Sequence, residues 1–311
     1  MKNSGIGGEA VIEGIMMRNG DDYAVGVRKP DGEIHVDVKE YKGVVKGKTV
    51  YKIPFIRGIF AFLDSMILGV SALTYSASFY EEEEEEEALT DEEIKKKERR
   101  DNLTMGVTVA FSIVVAVLIF IVVPYGLSAL LRPVISSYVI RTVIEGVIRI
   151  AIFLIYIWAI SKMEDIRRTF MYHGAEHKCI NCVENGLPLT VANVRKSSRE
   201  HKRCGTSFLF YVVIISIILF LLIPVENPVW RVIVRLLLLP VIAGISYEIL
   251  RLAGRSNNFF INLLSKPGMM IQHMTTAEPD DSMIEVAISA VDAVFDWRTF
   301  EAENFGTAAD I

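Results

Sequence analysis

Four stretches of this chain are apolar enough to lie in a hydrocarbon core. No charged residue occurs from Thr104 to Leu131, nor from Gly205 to Val225. Thr142–Ser161 carries only Glu145 and Arg149, and Val229–Leu250 only Arg231, Arg235 and Glu248. A helix needs about 20 residues to cross roughly 30 Å of hydrocarbon, so these runs predict four transmembrane helices. Residues 53–80 are apolar too, but Arg57, Asp64, Ser71 and Ser78 recur every seven residues as a narrow polar stripe. A fifth crossing there would carry the basic N-terminal segment outside. This segment is therefore expected to lie at the interface or to re-enter.

The period changes elsewhere. Ile34–Lys39 alternates strictly, as a half-buried strand does, and Tyr23–Arg28 alternates imperfectly. Pro30-Asp31-Gly32 joins them, with Pro presetting φ and Gly accepting positive φ, which predicts a hairpin. Gly7, Gly8 and Gly14 around Glu9–Glu13 imply a tight backbone path without phosphate-loop spacing. Glu81–Glu87 opens a charged linker. Thr90 and Glu93 form a capping box there, and Glu92–Lys96 and Glu93–Lys97 are favourable pairs. Near the end, Ile284, Ala287, Ile288, Val291 and Phe295 share a helix face, preceded by Asp280 and Asp281 at its positive end.

The chain is thus expected to be a mainly α, polytopic membrane protein with a β-rich unit at 1–52 and an amphipathic helix at 53–80. The charged linker follows at 81–103 and a first transmembrane hairpin at 104–161. A loop at 162–206, a second hairpin at 207–252 and C-terminal helices at 253–311 complete it.

Composition agrees. The 311 residues are 51% hydrophobic, with a mean hydropathy of +0.36. The formal charge of -5 gives no general argument for nucleic-acid binding. No charged segment followed by an apolar one marks the N-terminus as a cleaved signal. Residues 162–206 hold nine Lys or Arg, and Lys95–Arg100 precedes the first span. The positive-inside rule then puts both termini and the 162–206 loop in the cytoplasm. Three cysteines are too few for a disulfide framework. In a reducing compartment metal binding is the better use for them.

The densest chemistry is Tyr172-His173-Gly174-Ala175-Glu176-His177-Lys178-Cys179. On a helix His173 and His177 lie one turn apart on one face, within reach of a single ion. Ile166, Phe170 and Ile180 continue that stripe. The form H-x-x-E-H is the inverted zinc-hydrolase pattern, in which the carboxylate, here Glu176, is the general base. Against it stands the plain reading of two buried histidines with hydrogen-bond partners. Downstream lies His201-Lys202-Arg203-Cys204, and two metal arrangements compete. Cys179, Cys182, His201 and Cys204 could close a structural ribbon, with 18 residues between the pairs. Alternatively His173 and His177 bind an ion with a third ligand from His201, Cys204, Glu248 or Glu278. The second is preferred, because Cys179 and Cys182 fall at a helix end rather than on a zinc-knuckle turn. Glu145, Arg149, Arg231 and Arg235 sit near the outer ends of their spans. Structural pairing, Glu145 with Arg235 for example, suits them better than a transport path.

The chain resembles the YqhQ-like bacterial membrane proteins. The resemblance rests on Gly7–Arg18, Tyr172–Lys178, His201–Phe208 and Thr275–Asp280, and it spans nearly the whole chain. It implies a bacterial inner-membrane location and a metal site at His173, Glu176, His177, His201 and Cys204. It describes a metal-dependent enzyme of unknown function and implies no substrate. Cys179 and Cys182 lie outside the family's pattern.

The leading expectation is a metal-dependent membrane enzyme, hydrolytic, acting at the cytoplasmic face. Its metal is held by His173, His177, His201 and Cys204, zinc by the donor set, with Glu176 activating water. The alternative is a membrane scaffold or assembly factor with a structural metal or none. Its basic loop would meet anionic lipid head groups, another membrane protein or ribosomal RNA. Transport is the weakest reading.

Overall fold

The computed structural model describes residues 2–45, 49–80, 91–225, 227–256 and 258–306. The Glu81–Glu87 run and Thr90 of the capping box lie outside these residues. The molecule is mainly helical with a small N-terminal antiparallel sheet, and several helices are long and apolar.

The chain divides into two compact units. The first comprises Met1–Tyr80, Ile157–Ile215 and Leu238–Ile311. Its sheet is a meander of β1 (Gly7–Val11), β2 (Gly14–Asn19), β3 (Asp22–Arg28) and β4 (Ile34–Glu40). The hairpin read from the alternation is β3–β4, with Val25 opposite Asp37 and Val27 opposite His35. β2 is apolar on both faces because both are covered. The pleat sends Ile15 and Met17 one way and Met16 the other. Met16, with Val25 and Val27, packs on Leu68 and Ala72 of α1 (Ile56–Ala77). Ile15 and Met17 pack on Tyr172, Ala175 and Ile180 of α5 (Glu164–Glu184) and on Met283, Ile284 and Ala287 of α10 (Asp281–Val294). Each of these nearly fully buried Ile and Met side chains contributes roughly 1.5–3 kcal/mol.

α1 buries Gly58, Asp64, Leu68, Ala72 and Ser76. The last four follow a four-residue row, the ridge helices use for packing. Asp64 accepts from Tyr41 Oη at 3.1 Å and from the Val44 N–H at 2.8 Å. Ser76 Oγ accepts from the Ile12 N–H at 3.1 Å. The seven-residue polar stripe is therefore split. Asp64 serves the sheet, Arg57 pairs with Glu248, and Ser71 and Ser78 are exposed.

Five helices are long and apolar enough to cross a membrane. They are α1, the continuous helix Arg99–Leu130, α4 (Tyr138–Ile160), α7 (Gly205–Leu222) and α8 (Pro228–Arg255). Arg99–Leu130 runs through α2 (Asp91–Val117), a π-turn (Leu118–Val122) and α3 (Val123–Leu130). The remaining helices are α6 (Val191–Lys196), α9 (Phe259–Thr275) and α11 (Trp297–Phe305).

The second unit, Glu81–Tyr156 and Ser216–Leu237, is helical and carries a buried charge cluster. Glu145 accepts from Arg149 Nη2 at 2.9 Å and from Arg235 Nη2 at 2.8 Å. Arg149 also donates to Ser216 Oγ at 2.8 Å and, through Nε, to the Phe120 carbonyl at 2.9 Å. That carbonyl needs a partner because the residue four places on is Pro124, which has no N–H. The expected Glu145–Arg235 pair is present, and Arg149 has a backbone reason to be there.

Candidate metal centre

α5 presents His173 and His177 one turn apart, their ring centroids 4.4 Å from each other. Both rings are oriented through Nδ1. His173 Nδ1 donates to the Thr275 carbonyl at 2.9 Å, and His177 Nδ1 to the Arg199 carbonyl at 2.6 Å. A carbonyl can only accept, so each Nδ1 carries the proton and each Nε2 keeps a lone pair. Histidine ligands of metals are held in this way.

Thr275 reaches His173 because the chain after α9 runs close along α5. The Ala277 N–H donates to the Phe170 carbonyl at 2.8 Å. Position 174 faces the Ala277 carbonyl so closely that a Cβ has no room, hence glycine between the two functional residues.

Cys204 immediately precedes α7. Its Sγ lies 3.2 Å from His173 Nε2 and 3.2 Å from Thr206 Oγ1, and it accepts from the Thr206 N–H at 3.5 Å. Gln272, fully buried on α9, clamps the turn before it. It accepts from the His201 N–H at 2.8 Å, and its amide donates to the His201 carbonyl at 2.8 Å and to Ser207 Oγ at 2.9 Å. The result is a three-atom convergence. Ligand atoms of His173, His177 and Cys204 all lie within 4.8 Å of one another. A tetrahedral zinc with bonds of about 2.1 and 2.3 Å would hold a nitrogen and a sulfur ligand about 3.6 Å apart. His177 Nε2 is buried without a hydrogen-bond partner. The donor set and this orphaned nitrogen fit a divalent ion.

Glu176 is buried beside the group, and its Oε2 has no hydrogen-bond partner. Burial pushes the carboxyl up to about 7, with nearby Glu9 adding to the rise and His173 and the Gly8 amide opposing it. A Cβ at Gly8 would stand 3.1 Å from Glu176 Cγ and 2.6 Å from the Met16 carbonyl, so glycine lets β1 approach α5. Glu9 is the group that sequence reasoning missed. Its carboxyl is raised by burial, opposed by a hydrogen bond from Ser65 and by the Arg18 and His173 charges. A carboxylate directly after a Gly-Gly pair on an otherwise apolar strand was the available signal.

His201 stands apart from the three-atom group. Its ring centroid is 5.7 Å from that of His177, and its Nε2 is 3.7 Å from Glu184 Oε2. Burial holds His201 down to about 4. Burial would raise Glu184, but the facing His201 and Arg203 and the Ser4 N–H bring it down to about 2. Arg203 Nη2 donates to Glu184 Oε1 at 2.6 Å.

The other sulfur atoms and carboxylates considered from the sequence have different partners. Cys179 is fully buried in the α5–α10 core, and Cys182 Sγ points to the Leu187 carbonyl at 3.3 Å. Among the described residues no metal-ligating group includes either, so the ribbon arrangement is not assembled. The reason is their place on the α5 face that packs into the core. Glu248 pairs with Arg57, and Glu278 with Lys178 at 2.6 Å.

Residues 53–297 match a family described as "Protein of unknown function (DUF1385)". The chain is 37% identical over 308 residues to the "Uncharacterized protein YqhQ" of Bacillus subtilis (strain 168), covering 96% of this chain and 94% of that one. No solved structure matches.

Proposed function

The chain belongs to the YqhQ-like DUF1385 family of unknown function, and from the site itself we propose a metal-dependent membrane enzyme of hydrolytic type. His173, His177 and Cys204 would hold a divalent ion, zinc by the donor set. One observation carries the reading. Two oriented Nε2 lone pairs and a thiol meet within 4.8 Å, beside a buried carboxylate with an unpartnered oxygen. A bound ion of this kind polarises a carbonyl or phosphoryl group and makes water acidic. Glu176 Oε2 then accepts the proton of the attacking water and returns it to the leaving group as that bond breaks. Glu9, bonded to Ser65, adds its charge to the rise of the Glu176 carboxyl and so favours holding that proton.

The membrane topology that accompanies this reading has four spans, with α1 at the interface. α1 is tied to the sheet along Asp64–Ser76, while Phe62, Met66, Ile67 and Val70 face outward. That division suits a helix with lipid on one side and a folded sheet on the other. The Lys and Arg of 162–206 favour both termini and the metal site on the cytoplasmic side.

A second reading, a scaffold with a structural ion, is favoured by the depth of the site. His177 is 1% exposed and Cys204 6%. Elemental mass spectrometry of the detergent-purified protein separates the cases. One zinc per chain, lost in His173→Ala and kept in Cys182→Ala, supports the site. If Glu176→Gln keeps the zinc but abolishes hydrolysis across an ester, amide and phosphodiester panel, the enzyme reading stands. A wild type inert to that panel, with the zinc needed only for folding, leaves the scaffold. Absence of zinc or any other divalent ion from every sample sinks both.

A further inference from the structure

Beside Glu184 a cleft of about 270 Å³ opens, lined by Lys2, Lys202, Arg203, Arg255, Glu184 and His201 among others. That size suits a small polar group rather than a large apolar ligand. Four cations face one carboxylate. Glu184 is already engaged by Arg203 and by the Ser4 N–H and hydroxyl. Lys202 Nζ donates to Asn262 Oδ1 at 2.8 Å. Among the described residues Lys2 and Arg255 have no carboxylate within ion-pair distance. The cleft therefore keeps a surplus of positive charge.

A second observation points the same way. His201 is only 4% exposed, yet it lines the cleft, and its Nε2 has no partner within hydrogen-bond distance, Glu184 Oε2 standing 3.7 Å away. A buried polar atom of this kind costs free energy unless a ligand or water satisfies it. The position also matters. Arg255 ends α8, and Lys202 and Arg203 stand just before α7. Both helices are long and apolar enough to cross a membrane. Basic pockets at the ends of such helices take lipid phosphate groups.

We infer that this cleft binds a phosphate-bearing anion, held by Lys2, Arg255 and Lys202, with His201 Nε2 as its inner hydrogen-bond partner. The chemistry is shared by an anionic phospholipid head group and by free phosphate. It does not depend on the metal reading, since none of these residues belongs to the His173–Cys204 group.

The test uses the full chain, delipidated in detergent. Native mass spectrometry follows retention of phosphatidylglycerol against phosphatidylcholine, and calorimetry follows inorganic phosphate. Lys2→Gln and Arg255→Gln should each weaken binding roughly fivefold, and together roughly thirtyfold. Unchanged thermal stability without ligand shows that the variants fold, and each single variant can be read alone. Selective retention of phosphatidylglycerol, lost in the variants, supports a lipid source. Phosphate binding lost in the variants, without lipid retention, supports a soluble source. Absence of binding to either probe, binding unaffected by both substitutions, or equal retention of phosphatidylcholine overturns the inference.

Discussion

His173 Nε2 lies 3.2 Å from Cys204 Sγ, although the two residues are 31 positions apart, one on α5 and the other in the turn before α7. Substituting cobalt(II) makes the contact visible. The protein should show a thiolate-to-cobalt charge-transfer band that disappears in Cys204→Ser and survives in Cys182→Ser. A band insensitive to Cys204→Ser would remove the thiol from the ligand set.

Gly174→Ala puts a methyl group against the Ala277 carbonyl. The Thr275 carbonyl must then move from His173 Nδ1, and losing such an outer partner weakens metal binding roughly 10–100-fold. Competition with a chromophoric chelator measures this. Wild-type affinity would show that the close approach has no bearing on the site.

Gln272→Ala removes three hydrogen bonds from a buried turn, leaving the His201 N–H unpaired and the His201 carbonyl with only the Cys204 N–H at 3.4 Å. Each buried orphan costs about 1–3 kcal/mol. The expected result is a loss of several degrees in thermal stability together with weaker metal binding. Gln272→Glu keeps the acceptor toward the His201 N–H and should recover part of the loss. A midpoint unchanged in Gln272→Ala would contradict the clamp.

Arg149→Met strands Glu145 partly paired and the Phe120 carbonyl without a donor. Breaking a buried pair from one side costs roughly 3–5 kcal/mol, whereas replacing all its members by apolar residues is often near neutral. Denaturant titration in mixed micelles should find Arg149→Met strongly destabilised. The combination with Glu145→Leu and Arg235→Met should lie closer to wild type.

The Glu184 carboxyl, held down to about 2 from an ordinary 4.5, makes stability depend on acid. A depressed folded value means the contribution is complete above pH 4.5 and is lost as pH falls toward 2. Its full size is on the order of 3 kcal/mol. His201, down to about 4 from 6.5, acts in the same direction between those values. Glu184→Gln should flatten the lower part of the stability curve, below pH 4.5. An unchanged slope there would mean that Glu184 is not the group responsible.

Much of this was legible from local pattern. Uncharged runs such as Thr104–Leu131 announce long apolar helices, because length and hydropathy are local properties. The β3–β4 hairpin follows from Pro30-Asp31-Gly32, a turn whose chemistry sits in three adjacent residues. The spacing of His173 and His177 places two imidazoles on one helix face in any context.

Tertiary structure decided what meets that face. Cys204 and His201 share one short motif, yet the turn clamped by Gln272 sends the sulfur to His173 and the imidazole to Glu184. Glu9 raises the Glu176 carboxyl because Gly8 lets β1 lie against α5, a contact between residues more than 160 positions apart. The seven-residue stripe of α1 gave way to the four-residue row Asp64, Leu68, Ala72 and Ser76, because the sheet it packs on chooses the buried face. Periodicity specifies the faces a helix can offer. The surfaces that arrive from elsewhere in the chain determine which face is buried and which polar groups are left facing one another.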